Sequence, residues 1–221
     1  MGQFILTKSR SGAFAMRLRL ICLLLGLPLT AAAGEARVVF LGDSITLRWG
    51  PAVYNLLPPD VDDAGVGGNT AQLMYARLPG ILARRPETVV LLAGTNDVAD
   101  EVYRAEAQSR SPMLDFSYVR EIIFRCQSAG VRVVLGTIPP MLQPDREAQV
   151  LRWNGELKRI AAAYGVDVAD YFTVFLKPDG TPNASLYISD GVHPVAAAFN
   201  RMLRVIKPIL RAPAGLPEDF R

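Results

Sequence analysis

The sequence predicts an α/β fold built on a doubly wound, five-stranded parallel sheet with helices on both faces. Short β-branched runs alternate along the chain with segments of helical periodicity, which is typical of this class. Crossovers between parallel strands are almost always right-handed, and this narrows the topology to an open sheet of flavodoxin-like type. Half of the 221 residues are apolar and a fifth are charged, which predicts one globular domain.

Five short runs rich in β-branched residues are the predicted strands. The run near Val61 is the weakest of the five. In chain order the strands are residues 37–41, the run near Val61, and residues 88–92, 131–135 and 166–169.

Helices are predicted where apolar residues recur three and four positions apart. The first covers Phe116 to Cys126, with Asp115 as a candidate N-cap and Gly130 as its end. The second runs from Val150 to Tyr164 and is closed by Gly165. The last carries Val195, Phe199, Met202, Leu203 and Ile206, and Pro208 is expected to end it.

Two segments are predicted to be loops that wall a ligand cleft. Residues 100–112 are highly charged, and residues 138–146 contain three prolines. Both follow the carboxyl ends of predicted strands, which is where open α/β sheets bind ligands.

The first 33 residues read as a secretory signal. Arg17 and Arg19 precede an apolar run over residues 20–29, and the small residues 31–33 follow, so cleavage is expected after Ala33. A membrane anchor is the alternative, but a spanning helix needs roughly 20 apolar residues and this run is shorter. Met16 fits as a second possible start. We therefore expect a domain over residues 34–221, in the bacterial periplasm or secreted, with no stable membrane span.

Charge and cysteine content exclude several kinds of partner. The net charge is +3, but residues 1–33 hold four basic groups and no acidic one, so the remainder carries −1. That balance argues against nucleic acid or an anionic membrane surface as a partner. Cys22 would leave with the signal, and Cys126 lies on an apolar helix face, where a buried and unreactive thiol is expected. With one histidine and one remaining cysteine, we expect no zinc site and no cofactor.

Four short segments carry the residues that point to chemistry. They are residues 42–44 (Gly-Asp-Ser), 65–70, 94–97 (Gly-Thr-Asn-Asp) and 190–193 (Asp-Gly-Val-His). Each follows a predicted strand or precedes a helix, so we expect the four to meet at one edge of the sheet.

Ser44 stands where the first strand turns into a helix, whose N-terminus favours developing negative charge. His193 is the only histidine in the chain, and Asp190 lies three residues before it. A carboxylate bonded to one imidazole nitrogen fixes the tautomer, while the other nitrogen accepts a proton from serine. The three residues therefore predict a nucleophile, its general base and the group that orients that base.

Donors for a negatively charged oxygen are predicted beside Ser44. A glycine amide can approach a substrate oxygen without interference from a Cβ, which favours a donor in the glycine-rich turn that contains Gly68. Asn96 offers a side-chain amide after the third strand, and the Ser44 backbone amide completes a three-point oxyanion hole. Asp43 and Asp97 are expected to accept hydrogen bonds from local backbone amides rather than to act as acids or bases.

In this order and after these strands, the four segments resemble the four blocks of the SGNH (GDSL) hydrolase family, and the similarity extends from Val38 to about Met202. The resemblance implies a serine ester hydrolase. Carried over by position, it implies a catalytic triad of Ser44, Asp190 and His193, with oxyanion donors Ser44, Gly68 and Asn96.

Two positions depart from the family pattern. Ile45 stands where the pattern has leucine, an apolar exchange that should not affect the chemistry. No asparagine precedes the glycine-rich turn, where Asp62 and Asp63 stand instead. This leaves the choice of oxyanion glycine open among Gly65, Gly67 and Gly68.

The resemblance implies a small-molecule, lipid or glycan ester as substrate, and we expect a small acyl group such as acetyl on an envelope glycan. Lysophospholipase and thioesterase activity would use the same triad and remain alternatives. A noncatalytic glycan- or nucleotide-binding module is the alternative outside enzymes, with residues 65–70 cradling a sugar or phosphate. Asp190 and His193 distinguish the two, because a binding module does not need them.

Overall fold

The structure is a computed structural model that describes residues 38–50, Leu57 and residues 61–211. The predicted signal over residues 1–33, with its cleavage after Ala33 and the second start at Met16, lies outside the described residues. No helix in the described ranges is both long enough and apolar enough to cross a membrane.

A five-stranded parallel sheet forms the centre of the fold, with strand order β2-β1-β3-β4-β5. Every residue of β1 and β3 is buried, so both faces of the central strands are covered. The α/β fold class predicted from the sequence is confirmed, and predicted strand limits differ by one residue where they differ. The strands are β1 Val38–Gly42, β2 Val61–Gly65, β3 Thr88–Leu92, β4 Arg132–Gly136 and β5 Asp167–Ala169.

Helices connect the strands and pack on the sheet and on one another. The helix after β2 packs on the helix before β4, and the helix after β3 packs on the helix after β4. The helices are α1 Ser44–Leu47, α2 Ala71–Leu82, α3 Thr95–Ala107, α4 Ser117–Ser128, α5 Glu147–Tyr164 and α6 Ala196–Arg211. Two 3₁₀ turns, Thr173–Phe175 and Ala184–Leu186, lie between β5 and α6.

The predicted helix limits hold with small changes. The N-cap of α4 is Phe116 rather than Asp115, whose carboxylate instead accepts a hydrogen bond from the Ser117 amide at 2.8 Å. Gly165 ends α5 in the left-handed conformation, as predicted. Cys126 is fully buried on α4, and burial raises the pKa of its thiol to about 11.

The prediction of a loop over residues 100–112 was wrong, because α3 continues to Ala107. Val98, Val102 and Ala105 are buried at helical spacing, and the charged residues between them occupy the other faces of the helix. The exception is Glu101, which is buried. Its carboxylate accepts hydrogen bonds from Arg110 at 2.6 Å and from the Met113 amide at 2.7 Å. Charge density alone therefore did not identify a loop.

Pro208 does not end the last helix, contrary to the prediction, and α6 continues to Arg211. A proline near the end of a helix removes one backbone hydrogen bond, and few turns remain for it to disrupt. The carbonyl of Ile209, in the final turn, accepts a hydrogen bond from Arg132 at 2.9 Å.

That arginine also ties together two strands at the amino edge of the sheet. Arg132 and Asp167 are the first residues of β4 and β5, and the guanidinium donates twice to one carboxylate oxygen, at 2.6 and 3.1 Å. Both side chains are largely buried, at 15% and 11% exposure. One cation thus links β4, β5 and α6.

Candidate active site

The predicted site residues lie at the carboxyl edge of the sheet. Ser44 follows β1, Gly68 lies in the turn between β2 and α2, and Asn96 is in the first turn of α3 after β3. Asp190 and His193 lie in the turn before α6. The structure therefore brings four sequence-distant segments to one edge.

Ser44, His193 and Asp190 form a hydrogen-bonded chain. The Ser44 hydroxyl oxygen is 2.8 Å from Nε2 of His193, and Nδ1 of the same ring is 2.6 Å from an Asp190 carboxylate oxygen. The two ring nitrogens thus have different partners. With Nδ1 protonated toward the carboxylate, Nε2 is free to accept the serine proton.

Asp190 is bound on both of its oxygens. One oxygen accepts from the backbone amides of Val192 and His193, each at 2.9 Å, and the other faces the imidazole. Partial burial would raise the pKa of Asp190, but these amides and the histidine outweigh that effect and lower it to about 2. The carboxylate therefore stays ionised throughout the range in which an imidazole titrates.

The turn that carries His193 is anchored to the segment after β4. The Leu142 amide donates to the Gly191 carbonyl at 2.9 Å, and the Gln143 side-chain amide donates to the Asp190 carbonyl at 2.6 Å. Residues 138–146 were predicted to wall a cleft, but the sequence did not reveal that they hold the histidine turn. Gln143 gives no such signal, because its partner is 47 residues away.

The glycine-rich turn after β2 lies against the serine. The Val66 amide donates to the Gly42 carbonyl at 3.1 Å, and a Cβ built on Gly67 would lie 4.0 Å from the Cβ of Ser44. Gly68 is exposed and has a φ of 75°, which a residue with a side chain rarely adopts. This conformation explains why glycine occupies position 68.

Asn96 is bound to the same turn. Its side-chain amide donates to the carbonyl of Asn69, the residue after Gly68, at 3.0 Å. A side-chain amide has two hydrogens, so this bond orients the group and leaves a second hydrogen for another acceptor. Asn96 and the turn at Gly68 are therefore positioned relative to each other.

Two aspartates beside these residues have pKa values that burial raises. Asp43 is completely buried and accepts from the Ile45 amide at 2.8 Å, a local bond as predicted. Burial raises its pKa to about 6, although that amide bond opposes the shift. Burial likewise raises the pKa of Asp97 to about 6.

The bond of Asp97 is not local, contrary to the prediction. Both of its carboxylate oxygens accept from the amide of Ala71, at 3.0 and 3.1 Å, although the two residues are 26 positions apart. Ala71 is the first residue of α2. Asp97 thus ties the start of α2 to the start of α3.

Arg77 lies beside the site and was missed from the sequence, whereas Asn69 was singled out only as part of the segment 65–70. Nε of Arg77 donates to the Asn69 side-chain oxygen at 2.8 Å, and a terminal nitrogen donates to the Gly42 carbonyl at 2.8 Å. One signal in the sequence could have identified Arg77. It lies three positions after Met74 and four before Ile81, which places this charged residue on the buried face of α2.

Candidate metal ligands were sought among the residues that the structure describes. Within them, no group of three or more histidine, cysteine, aspartate or glutamate side chains converges as a metal site would require.

Comparison with known proteins gives one family and many similar folds. The model of the GDSL-like Lipase/Acylhydrolase family matches residues 40–200. A GDSL-like lipase from Bacteroides thetaiotaomicron is 23% identical with a TM-score of 0.66, covering 80% of this chain and 88% of that chain. No curated protein sequence matches significantly.

An acetylxylan esterase from Geobacillus stearothermophilus has a similar fold. It is 21% identical with a TM-score of 0.67, covering 81% of this chain and 95% of that one. Two other crystal structures of that esterase are catalytic mutants, in which a serine or a histidine is replaced by alanine. At these identities the likeness concerns the fold.

Proposed function

The chain belongs to the GDSL-like lipase and acylhydrolase family, and from this premise we propose that it is a serine ester hydrolase acting through an acyl-enzyme. The observation that carries the proposal is the chain of short hydrogen bonds from Ser44 through His193 to Asp190. Each of its members has the chemistry that its role in acyl transfer requires.

In the first half of the reaction, Nε2 of His193 takes the proton of the Ser44 hydroxyl as its oxygen attacks the ester carbonyl. The carbonyl oxygen becomes negatively charged, and the Ser44 amide, the Gly68 amide and the Asn96 side chain stabilise it. The protonated histidine, paired with Asp190, then gives its proton to the departing alcohol.

In the second half, water replaces the alcohol. His193 takes a proton from the water as it attacks the acyl-serine, and a second tetrahedral intermediate forms in the same oxyanion hole. Its collapse releases the carboxylic acid, and the proton returns from His193 to Ser44. No cofactor or metal is required in either half.

For the substrate, we propose a small acyl ester, such as an acetyl group on a glycan. Several residues of the site are open to solvent: the Asp190 side chain is 41% exposed, and Gly67 and Gly68 are exposed beside the serine. An ester carried on a bulky polymer can reach such a surface without entering a tunnel. The fold shared with an acetylxylan esterase is consistent with this substrate class.

A longer acyl chain, as in a lysophospholipid or thioester, is the second candidate. It is favoured by exposed apolar side chains near the site in sequence and structure. Leu47 is 50% exposed at the end of α1, Val66 is 43% exposed in the glycine turn, and Ile188, 38% exposed, lies two residues before Asp190. Such side chains could contact a chain that extends from the serine.

A panel of p-nitrophenyl esters tests both substrates. We expect hydrolysis of the acetate, covalent labelling of Ser44 by an organophosphorus reagent, and a kcat/KM that falls as the acyl chain lengthens. A rise with chain length would favour the second candidate. Absence of both hydrolysis and labelling would exclude the serine hydrolase.

We also propose that the domain over residues 34–221 acts after export. N-terminal sequencing of protein from the periplasm and medium of an expressing bacterium tests this, with Ala33 as the expected cleavage position. Retention of the whole chain in the cytoplasm would refute it.

A further inference from the structure

Arg77 makes contacts that extend beyond its own helix. It is half-buried on α2, and its two hydrogen bonds, both 2.8 Å, go to the Asn69 side chain and to the Gly42 carbonyl. Gly42 ends β1, 35 residues before Arg77. Burial and the charge of Arg84 lower the pKa of Arg77 from 12.5, but such a group stays protonated at neutral pH.

The two partners of Arg77 are the residues that connect the proposed oxyanion donors. Gly42 lies two positions before Ser44, and its carbonyl also accepts from Val66 of the glycine turn. Asn69 directly follows Gly68, and its backbone carbonyl accepts the Asn96 side-chain amide at 3.0 Å. A single guanidinium is therefore bonded directly to the segments that carry Ser44 and Gly68, and it reaches Asn96 through Asn69.

We propose that Arg77 is a positioning residue that holds the three oxyanion donors in register through Asn69 and Gly42, without itself touching the substrate. The inference rests on the proposed ester hydrolase function. The guanidinium suits this task because its donors form a rigid planar fork, so fixing one partner also fixes the direction of the other. A lysine ammonium can satisfy one acceptor but does not impose the angle between the two.

Small displacements of the donors are enough to affect the reaction. An oxyanion donor must lie about 2.7–3.1 Å from the developing charge, and a misplacement of about 1 Å can cost about 10²-fold in rate. Ground-state binding of an ester depends less on these donors, because the charge is absent before attack. Loss of Arg77 should therefore lower kcat by about 10–100-fold and leave KM within about twofold.

Arg132 provides a matched control at the other edge of the sheet. Its guanidinium is also partly buried, also donates to one side chain and also bonds one backbone carbonyl, that of Ile209. If Arg77 only stabilised the packing of a helix on the sheet, Arg77→Met and Arg132→Met would both lower the melting temperature and leave kcat unchanged.

The experiment measures kcat, KM and melting temperature with p-nitrophenyl acetate for the wild type, Arg77→Met, Arg77→Lys and Arg132→Met. We expect kcat to fall in both Arg77 variants, with less loss for lysine, and to stay at the wild-type value in Arg132→Met. The pH dependence of kcat should be unchanged in Arg77→Lys, because the bonds of His193 and Asp190 do not involve Arg77. Unchanged kcat in the Arg77 variants would overturn the proposal, as would equal loss in Arg132→Met.

A double-mutant cycle tests the route through Asn69. If Arg77 acts through Asn69, kcat of Arg77→Lys combined with Asn69→Ala should be close to that of Asn69→Ala alone. Multiplied losses would overturn this route. If Arg77→Met does not fold, Arg77→Lys decides in its place, by a fall of kcat at constant KM.

Failure of this inference is distinguishable from failure of the proposed function. A wild type that hydrolyses no ester and is not labelled at Ser44 overturns both. A wild type that is active and labelled, beside Arg77 variants with normal kcat, overturns the role of Arg77 alone.

Discussion

The two edges of the sheet differ in the partners of their polar side chains. At the amino edge, the charges of Arg132 and Asp167 neutralise each other at 2.6 Å. At the carboxyl edge, Asp43 is buried and Asp97 is partly buried, burial raises the pKa of each to about 6, and each accepts a hydrogen bond from a backbone amide. The amino edge thus pairs its buried charges, whereas the carboxyl edge, which carries the proposed catalytic residues, holds carboxyl groups where burial disfavours their ionised form.

Ser44→Ala should lower activity at the carboxyl edge more than any other single change. Removal of the nucleophile should lower kcat by about 10⁴–10⁶-fold. The melting temperature should stay the same, because the hydroxyl is only partly buried and its partner His193 remains bound to Asp190. Assays of esterase activity and thermal unfolding on one preparation measure both quantities. Substantial residual turnover would mean that another residue attacks the ester.

Asn96→Ala tests whether Asn96 acts in the reaction or only stabilises the fold. We expect kcat to fall by about 10²–10³-fold with little change in KM, since a donor to the tetrahedral oxygen is lost. The same side chain also bonds the Asn69 carbonyl, so it has a structural partner as well. A variant that melts earlier but keeps its kcat would show that Asn96 only stabilises the turn.

Arg132→Met should show the reverse behaviour at the amino edge. It removes the guanidinium that lies 2.6 Å from the Asp167 carboxylate, which is 11% exposed, and should lower the free energy of unfolding by about 1–3 kcal/mol. At temperatures below unfolding, kcat should be that of the wild type, because neither residue lies near the serine. Urea titration measures the free energy of unfolding, and steady-state kinetics measures kcat. A lower kcat would show that the amino edge also affects the reaction.

Asp97→Asn should give the most pH-dependent effect, one that disappears near pH 4. The folded-state pKa of about 6 lies above the usual 3.8, so ionisation disfavours the folded protein, and stability falls as pH rises from about 4 to about 6. The amide keeps an acceptor for the Ala71 backbone without this penalty. The variant should gain about 1–3 kcal/mol at pH 8 and nothing near pH 4, as measured by urea unfolding. An equal gain at both pH values would contradict the assignment.

Whether a contact could be predicted from the sequence depends on how far apart its two residues are along the chain. The strands and the segments around Ser44 and His193 leave local patterns, namely apolar runs followed by turn residues. Asp190 was found because its partner is three residues away. The bonds from Arg77 to Gly42, Gln143 to Asp190 and Ala71 to Asp97 join residues 35, 47 and 26 positions apart. Local periodicity carries no information on such pairs.

Helix α3 shows a different limit of sequence reasoning. Its charged residues favoured a loop, yet Val98 and Val102 form a buried stripe that is only one face wide. The charge of buried Glu101 is met by Arg110, which lies beyond the end of the helix. Composition described the exposed side of this segment, and tertiary contacts determined its structure.

The anchoring of the histidine turn by Leu142 and Gln143 bears on how such a protein could change its specificity. The segment over residues 138–146 flanks the site, and through these two bonds it also supports the turn of His193, the proposed general base. Selection for a new substrate that altered this segment would disturb proton transfer at the same time. Adaptation is therefore less constrained on the opposite flank, around exposed Val66, where side chains can vary without loosening the histidine.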